Sequence, residues 1–221
     1  MAETPIRIEI VSDVVCPWCY LGQRRLKLAL ERLEGEVGAS ITWKPFQLEP
    51  NAPPEGFDTL DYLSRKIGGA DAVRQSHEQL TRMGAEIGLP FALDKARKFP
   101  NTLDAHRLAH WAGLESAELQ DQVMQALFRA NFVEGRNVGD REVLLQIAEE
   151  AGMDRATVER KLSDGTDVET IRGEIEHAQR IGVTGVPCFI IDQRYAVTGA
   201  QPVELFENGL RQIAQEKAQQ S

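Results

Sequence analysis

The 221-residue sequence lacks several features that define large classes of protein. It has 3 cysteines, too few for the disulfide framework that holds small secreted domains together. No apolar run approaches the roughly 20 residues that cross a bilayer, so we expect no membrane insertion. Basic residues are in deficit, with 25 Lys and Arg against 34 Asp and Glu. The resulting net charge of -9 disfavours a nucleic acid as partner.

The remaining composition is that of a folded globular protein. Hydrophobic residues make up 42% and charged residues 27% of the chain, so a buried core is expected. Acidic and basic residues interrupt the apolar ones over residues 1–9, which is not the pattern of a secretory signal. We therefore expect the protein to lie in a reducing cytoplasm.

The first 50 residues have the apolar pattern of a βαβ unit. Residues 6–11 alternate as in a strand that ends at Ser12 and Asp13, and Leu26, Leu30 and Leu33 mark a helix that begins at Pro17. Residues 40–47 alternate again and predict a second strand, parallel to the first because a helix separates the two. The three prolines between Glu49 and Gly56 end this unit.

From about residue 58 to 181, the apolar residues recur with the spacing of an α-helix almost throughout. Expected helix N-caps are Asn101, Asp140 and Asp154, and expected stops are Gly88, Gly135 and Gly152.

After Gly185 the strand pattern returns. Residues 186–191 predict a buried strand, Asp192 and Gln193 a two-residue turn, and residues 195–198 an antiparallel partner, before Pro202 opens a last helix. The order is βαβ, helical insertion, ββα. We predict an α/β fold in which residues 1–50 and 180–221 form one domain and residues 51–179 an inserted helical lobe.

The segment Cys16-Pro17-Trp18-Cys19 carries the chemistry. Free N–H groups and the positive end of the helix dipole favour an anion at a helix start, so Cys16 is the expected nucleophile. Cys19 lies one turn further and is the expected resolving thiol. Trp18 offers an apolar surface beside the reactive sulfur. The alternative is half of a zinc site, which the absence of a second Cys-x-x-Cys or Cys/His pair disfavours.

Val186-Pro187 is the second unusual element, because a proline cannot donate to the ladder of a central strand. A cis bond would explain it and would leave the Val186 backbone free to pair with a substrate beside Cys16. The alternative is an ordinary trans proline at the start of a strand.

Together these segments resemble the DsbA family of thioredoxin-like proteins, and more closely its FrnE-like cytoplasmic branch. Its relatives include kappa-class glutathione transferases and 2-hydroxychromene-2-carboxylate isomerases. The resemblance runs from about residue 6 to 210 and includes the stretches 12–20, 101–107, 134–140 and 195–202. It implies a thioredoxin fold, a cis Pro187 facing Cys16, and Cys19 as the resolving residue.

The resemblance implies a cytoplasmic thiol–disulfide oxidoreductase, acting as a reductase or isomerase on protein or small-thiol substrates docked at Pro17, Trp18, Val186 and Pro187. No metal or cofactor is expected, although glutathione could serve as a co-substrate, and the protein could form a homodimer. One alternative is a glutathione-dependent isomerase or transferase for aromatic or polyketide-like compounds. Those relatives usually keep a serine where this chain has a reactive cysteine pair. The other is a chaperone-like binding module without redox turnover.

Four further residues have two interpretations each. Cys188, within an apolar strand, is expected to act as a small hydrophobe rather than a third redox thiol. His106 and His110 could share a metal, but no third ligand matches them, and His106 is expected to make a polar contact between lobes. Asp13 is expected to cap the turn into the first helix rather than to move protons.

Overall fold

The computed structural model describes residues 5–219, so residues 1–4, 220 and 221, which belong to the predicted first domain, lie outside the description. A mixed sheet has the strand order β2-β1-β5-β6, and a second pair joins β3 to β4. The strands are β1 Ile6–Ser12, β2 Ala39–Pro45, β3 Phe57–Asp58, β4 Lys98–Phe99, β5 Cys188–Ile191 and β6 Tyr195–Thr198.

The helices fill the intervals between these strands. They are α1 Pro17–Arg32, α2 Thr59–Ile67, α3 Ala70–Ala85, α4 Leu103–Glu115, α5 Ala117–Arg129, α6 Arg141–Glu150, α7 Arg155–Asp164, α8 Val168–Arg180 and α9 Val203–Ala218. A 3-10 turn covers Leu93–Lys95 and a π-helical turn covers Ala130–Glu134. None of the helices among residues 5–219 combines the length and apolar character that crossing a membrane requires.

The predicted α/β order is confirmed. β1 pairs in parallel with β2 and antiparallel with β5, which in turn pairs antiparallel with β6. Ile6, Ile8 and Ile10 alternate into the core, which is why this segment forms a strand. The pair β3–β4 was not predicted, since each strand is only two residues long and leaves no periodic signal.

The edge strand β2 is covered by an amide side chain of α5. Gln120 Oε1 accepts from the backbone N–H of Trp43 at 2.9 Å, and Gln120 Nε2 donates to the Trp43 carbonyl at 3.2 Å. The side chain thus satisfies the backbone groups that an outer strand leaves open.

Aromatic packing ties α1 to the inserted helices. The Tyr20 ring stacks on Phe128 of α5 at 5.1 Å and meets the edge of Phe91 at 5.6 Å. Trp43 of β2 joins the same core cluster at 5.8 Å from Phe128. The core is therefore continuous from the sheet into the helices, while the division at residues 50 and 180 stays a prediction.

Two of the three predicted helix N-caps are confirmed, and the third lies one residue away from the predicted position. Asp140 and Asp154 accept from the N–H groups of Glu142 and Thr157, as expected of N-caps. At α4 the cap position belongs to Thr102, but the Asn101 side chain still accepts from Leu103 N at 3.0 Å. The N-cap position is thus one residue later than predicted, and Asn101 satisfies the first turn from the residue before it.

The predicted turn between β5 and β6 suggests a stability test. Asp192 and Gln193 have φ values of 49° and 58°, a left-handed conformation that costs an L-residue about 1–2 kcal/mol. Asp192 accepts from Arg7 N and binds the Lys217 ammonium, each at 2.9 Å. Gln193→Gly should relieve the cost at its own position while losing about 0.5–1 kcal/mol of chain entropy. We expect a net gain of about 0.5–1 kcal/mol in the free energy of unfolding.

Urea unfolding followed by circular dichroism measures this change. The loop between β5 and β6 has three residues, one more than predicted, and its last residue, Arg194, has no positive φ. Arg194→Gly is therefore the matched control and should only lose stability. A Gln193→Gly protein no more stable than wild type would contradict the prediction.

Candidate active site

The site begins where β1 turns into α1. The Cys16 N–H donates to the Asp13 carbonyl at 3.0 Å, which closes a tight turn. Cys16 is then the N-cap of α1, and Pro17 occupies the first helical position, where its missing N–H costs nothing. The predicted strand, turn and helix therefore place Cys16 at the positive end of the helix.

The two sulfurs of Cys16 and Cys19 lie in different surroundings. The Cys19 N–H donates to Cys16 Sγ at 3.3 Å, an interaction that favours negative charge on that sulfur. Both thiols are free. Cys16 is 4% exposed and lines an open groove, whereas Cys19 is completely buried behind it. A molecule that enters the groove therefore reaches Cys16 before Cys19.

Burial raises the pKa of the Cys19 thiol well above its ordinary value, and a hydrogen bond to Cys16 and the charge on Cys16 raise it further. Ser12 and the Asp13 backbone lower the same pKa by smaller amounts. Cys19 is consequently a protonated thiol at neutral pH while Cys16 is reduced.

The Val186–Pro187 peptide bond is cis, as the family resemblance implied. The Cys16 thiol donates to the Val186 carbonyl at 3.6 Å, so the loop before β5 lies directly against the reactive sulfur. The Pro187 carbonyl accepts from Gly199 N at 2.8 Å, which ties this loop to the far end of the hairpin. Gly22 of α1 permits the approach, since a Cβ there would lie 3.2 Å from the Pro187 ring.

The groove beside Cys16 has a volume of about 370 Å³. Four of the six predicted site residues line it, namely Cys16, Pro17, Trp18 and Val186. Pro187 instead borders a second cavity on the other side of its loop, together with Cys188. The structure thus brings four of the predicted residues together in one groove, while Cys19 lies behind it and Pro187 on another surface.

Most of the groove wall comes from residues that the sequence did not indicate. They belong to α2, α3, β4 and the π-helical turn, and include Tyr62, Leu63, Leu80, Phe99, Asn131 and Phe132. Each matches the apolar pattern of its own helix or strand except Asn131, a polar residue that extends the buried stripe of Val123 and Leu127. The polar Asn131 within a buried apolar stripe is the sequence signal that could have indicated this part of the site.

Asp13 has a structural role that differs from the predicted helix cap. Its Oδ2 accepts from Leu48 N at 2.8 Å, and its Oδ1 lies 3.3 Å from His106 Nε2. His106 Nε2 also lies 2.8 Å from the Phe46 carbonyl. The prediction that Asp13 caps α1 was wrong, because the side chain instead fixes the segment after β2. The contact predicted for His106 is present.

Cys188, His106 and His110 do not line the groove beside Cys16. Cys188 is 3% exposed in a small apolar cluster with Val11, Phe46, Ala178 and Val183, and burial raises its pKa. Among residues 5–219, no three His, Cys, Asp or Glu side chains are grouped closely enough to hold a metal ion.

Comparison with known proteins agrees with this geometry. Residues 7–211 match the model of the DSBA-like thioredoxin domain, and the chain belongs to that family. A probable DsbA oxidoreductase from Streptomyces coelicolor is 32% identical, with a TM-score of 0.87 over 96% of this chain and 90% of that one.

Two more distant structures share the fold. The 2-hydroxychromene-2-carboxylate isomerase is 18% identical, with a TM-score of 0.71 over 97% of this chain and 99% of its own. The cytosolic disulfide reductase DsbM from Pseudomonas aeruginosa, solved with glutathione, is 18% identical, with a TM-score of 0.61 over 96% and 99%. The same fold thus occurs in proteins with two different chemistries.

The Ser12 hydroxyl provides a test of how Cys19 is tuned. Ser12 is completely buried, and its Oγ has no hydrogen-bond partner of good geometry within residues 5–219, so it is available to a thiolate at Cys19. Since Ser12 lowers the pKa of Cys19, Ser12→Ala should raise that pKa. The measurement is thiolate absorbance against pH in a Cys16→Ser/Cys188→Ala protein, with and without Ser12→Ala.

Thr59→Val is the control for this titration. Its hydroxyl is also buried and unpaired within the described residues, but it does not act on Cys19. An unchanged Cys19 titration after Ser12→Ala would show that the hydroxyl has no part in tuning the thiol.

Proposed function

We propose that the protein is a thiol–disulfide oxidoreductase that reduces or isomerises disulfides in a reducing cytoplasm. The observation that carries this proposal is the contrast between the two free thiols: Cys16 faces the groove at a helix start, and Cys19 lies buried one turn behind it. Family membership supports disulfide chemistry, and the finer assignment rests on this geometry.

In the first step the Cys16 thiolate attacks one sulfur of a substrate disulfide. A Cys16–substrate bond forms, the substrate S–S bond breaks, and the leaving thiolate takes up a proton. The cis loop at Val186 and Pro187 and the side chains of Pro17 and Trp18 hold the substrate beside the sulfur. The Val186 carbonyl, freed from the Cys16 thiol, can accept from the substrate backbone.

The second step is triggered by the first. Once Cys16 is in the mixed disulfide it loses its charge, and with it the interactions through which it raises the pKa of Cys19. The Cys19 thiol then loses its proton and attacks Cys16, closing the Cys16–Cys19 disulfide and releasing the second substrate thiol. The substrate gains two electrons, which the dithiol loses, and glutathione or another small thiol would return the pair to its reduced form.

The compartment decides the direction of this exchange. A reducing glutathione pool keeps a dithiol with which it can exchange largely reduced, so substrate reduction or isomerisation is favoured over net oxidation. The likeness to a cytosolic disulfide reductase, though distant, is consistent with this direction.

A glutathione-dependent isomerase is the second candidate, favoured by the shared fold of the chromene carboxylate isomerase and by the apolar groove. Such an activity requires no resolving thiol. It would therefore survive Cys19→Ser, whereas disulfide reductase turnover would not.

Substituting each cysteine separates these functions. Cys16→Ser should lower the rate of insulin disulfide reduction at least roughly a hundredfold, because the nucleophile is lost. Cys19→Ser should accumulate a mixed disulfide at Cys16, detectable by mass spectrometry, because nothing releases the substrate. Cys188→Ala is the control and should keep the wild-type rate, since its sulfur packs in an apolar cluster.

The alternatives give different results. A binding module would protect unfolded clients equally well after Cys16→Ser/Cys19→Ser. It would also show no reductase activity in the wild-type protein. Mass spectrometry in glutathione buffers of graded potential would then show no two-electron transition between Cys16 and Cys19.

A further inference from the structure

The π-helical turn Ala130–Glu134 places a polar side chain in the groove wall. The turn ends at Gly135, whose φ is 72° and where a Cβ would lie 2.8 Å from the Lys95 carbonyl oxygen. Single π-helical turns are frequent at functional sites. Asn131 of this turn is 3% exposed and lines the same groove as Cys16.

Asn131 differs from the other buried amides. Gln120 bonds Trp43 in both directions, and Gln23 exchanges hydrogen bonds of 3.0 and 3.1 Å with Gln125. The Asn131 carboxamide makes no hydrogen bond to any side chain or backbone group of residues 5–219. Its oxygen and nitrogen are not among the fully buried unpaired side-chain atoms of residues 5–219, which are Ser12 Oγ and Thr59 Oγ1, so the carboxamide reaches the open space of the groove, where a bound molecule can pair with it.

The surroundings of Asn131 indicate what would pair with it. Tyr62, Leu80 and Phe132 are apolar members of the groove lining, which also contains Lys66, His77 and Lys98. The Asn131 carboxamide can donate through its NH₂ group and accept through its carbonyl oxygen. It can therefore pair with the C=O and the N–H of a peptide group.

We infer that Asn131 is a specificity-determining residue that hydrogen-bonds a peptide group of a polypeptide disulfide bound beside Cys16. The inference rests on the proposed disulfide exchange and adds a substrate class to it. Asn131 makes no bond to the reacting sulfurs, so its effect is on substrate positioning rather than on the dithiol.

The test compares two disulfides in wild type and Asn131→Leu: a short synthetic peptide dimer joined by one disulfide, and bis(2-hydroxyethyl) disulfide, which has no peptide group. We expect kcat/KM for the peptide to fall roughly five- to tenfold more than for the small disulfide, mainly through KM.

Gln120→Leu is the matched control. It removes a paired buried amide outside the groove, so the melting temperature should fall while the ratio of the two kcat/KM values stays as in wild type. Should Asn131→Leu not fold, Asn131→Ser tests the same ratio with a shorter side chain.

The possible results are distinguishable. An equal change in kcat/KM for both disulfides, or no change in either, would overturn the assignment of Asn131 and leave the dithiol chemistry intact. Wild-type protein that reduces neither disulfide would instead overturn the proposed function itself.

Discussion

The chemistry depends on how abruptly β1 turns into α1. Two local hydrogen bonds fix both cysteines relative to the sheet: the Cys16 N–H donates to the Asp13 carbonyl, and the Cys19 N–H donates to Cys16 Sγ. Neither bond involves a residue from a distant part of the chain. The Cys16 sulfur lies at the N-terminus of α1, and the Cys19 sulfur lies one helical turn further along and is fully buried. Complete burial raises the pKa of Cys19 and shields it, whereas Cys16 lines the groove.

The rest of the fold supports this turn from three directions. The hairpin presses Val186 and Pro187 against Cys16, with Gly22 allowing the close contact. Tyr20, directly after Cys19, is held by the rings of α5 and the segment before the 3-10 turn. Asp13 anchors the chain after β2 to the same corner. A substitution that removes any of these contacts would shift the position of Cys16 or Cys19 without replacing either cysteine.

The sequence predicts the parts of this arrangement that are local. The strand before Cys16, the helix after it, and the β5–β6 hairpin all follow from periodicity and turn residues within about twenty positions. The role of Asp13 and the groove wall depend on contacts between residues far apart along the chain. Asn131 shows the difference: its polarity is visible in the buried stripe of α5, but its proximity to Cys16 arises only from tertiary packing.

The groove is built from two sources: the dithiol and cis loop come from the sheet, and most of the wall comes from the inserted helices. Mutations in those helices can therefore change which molecules fit the groove while the positions of Cys16 and Cys19 stay the same. The shape of the groove and the geometry of the two cysteines can therefore be altered separately, by substitutions in different parts of the chain.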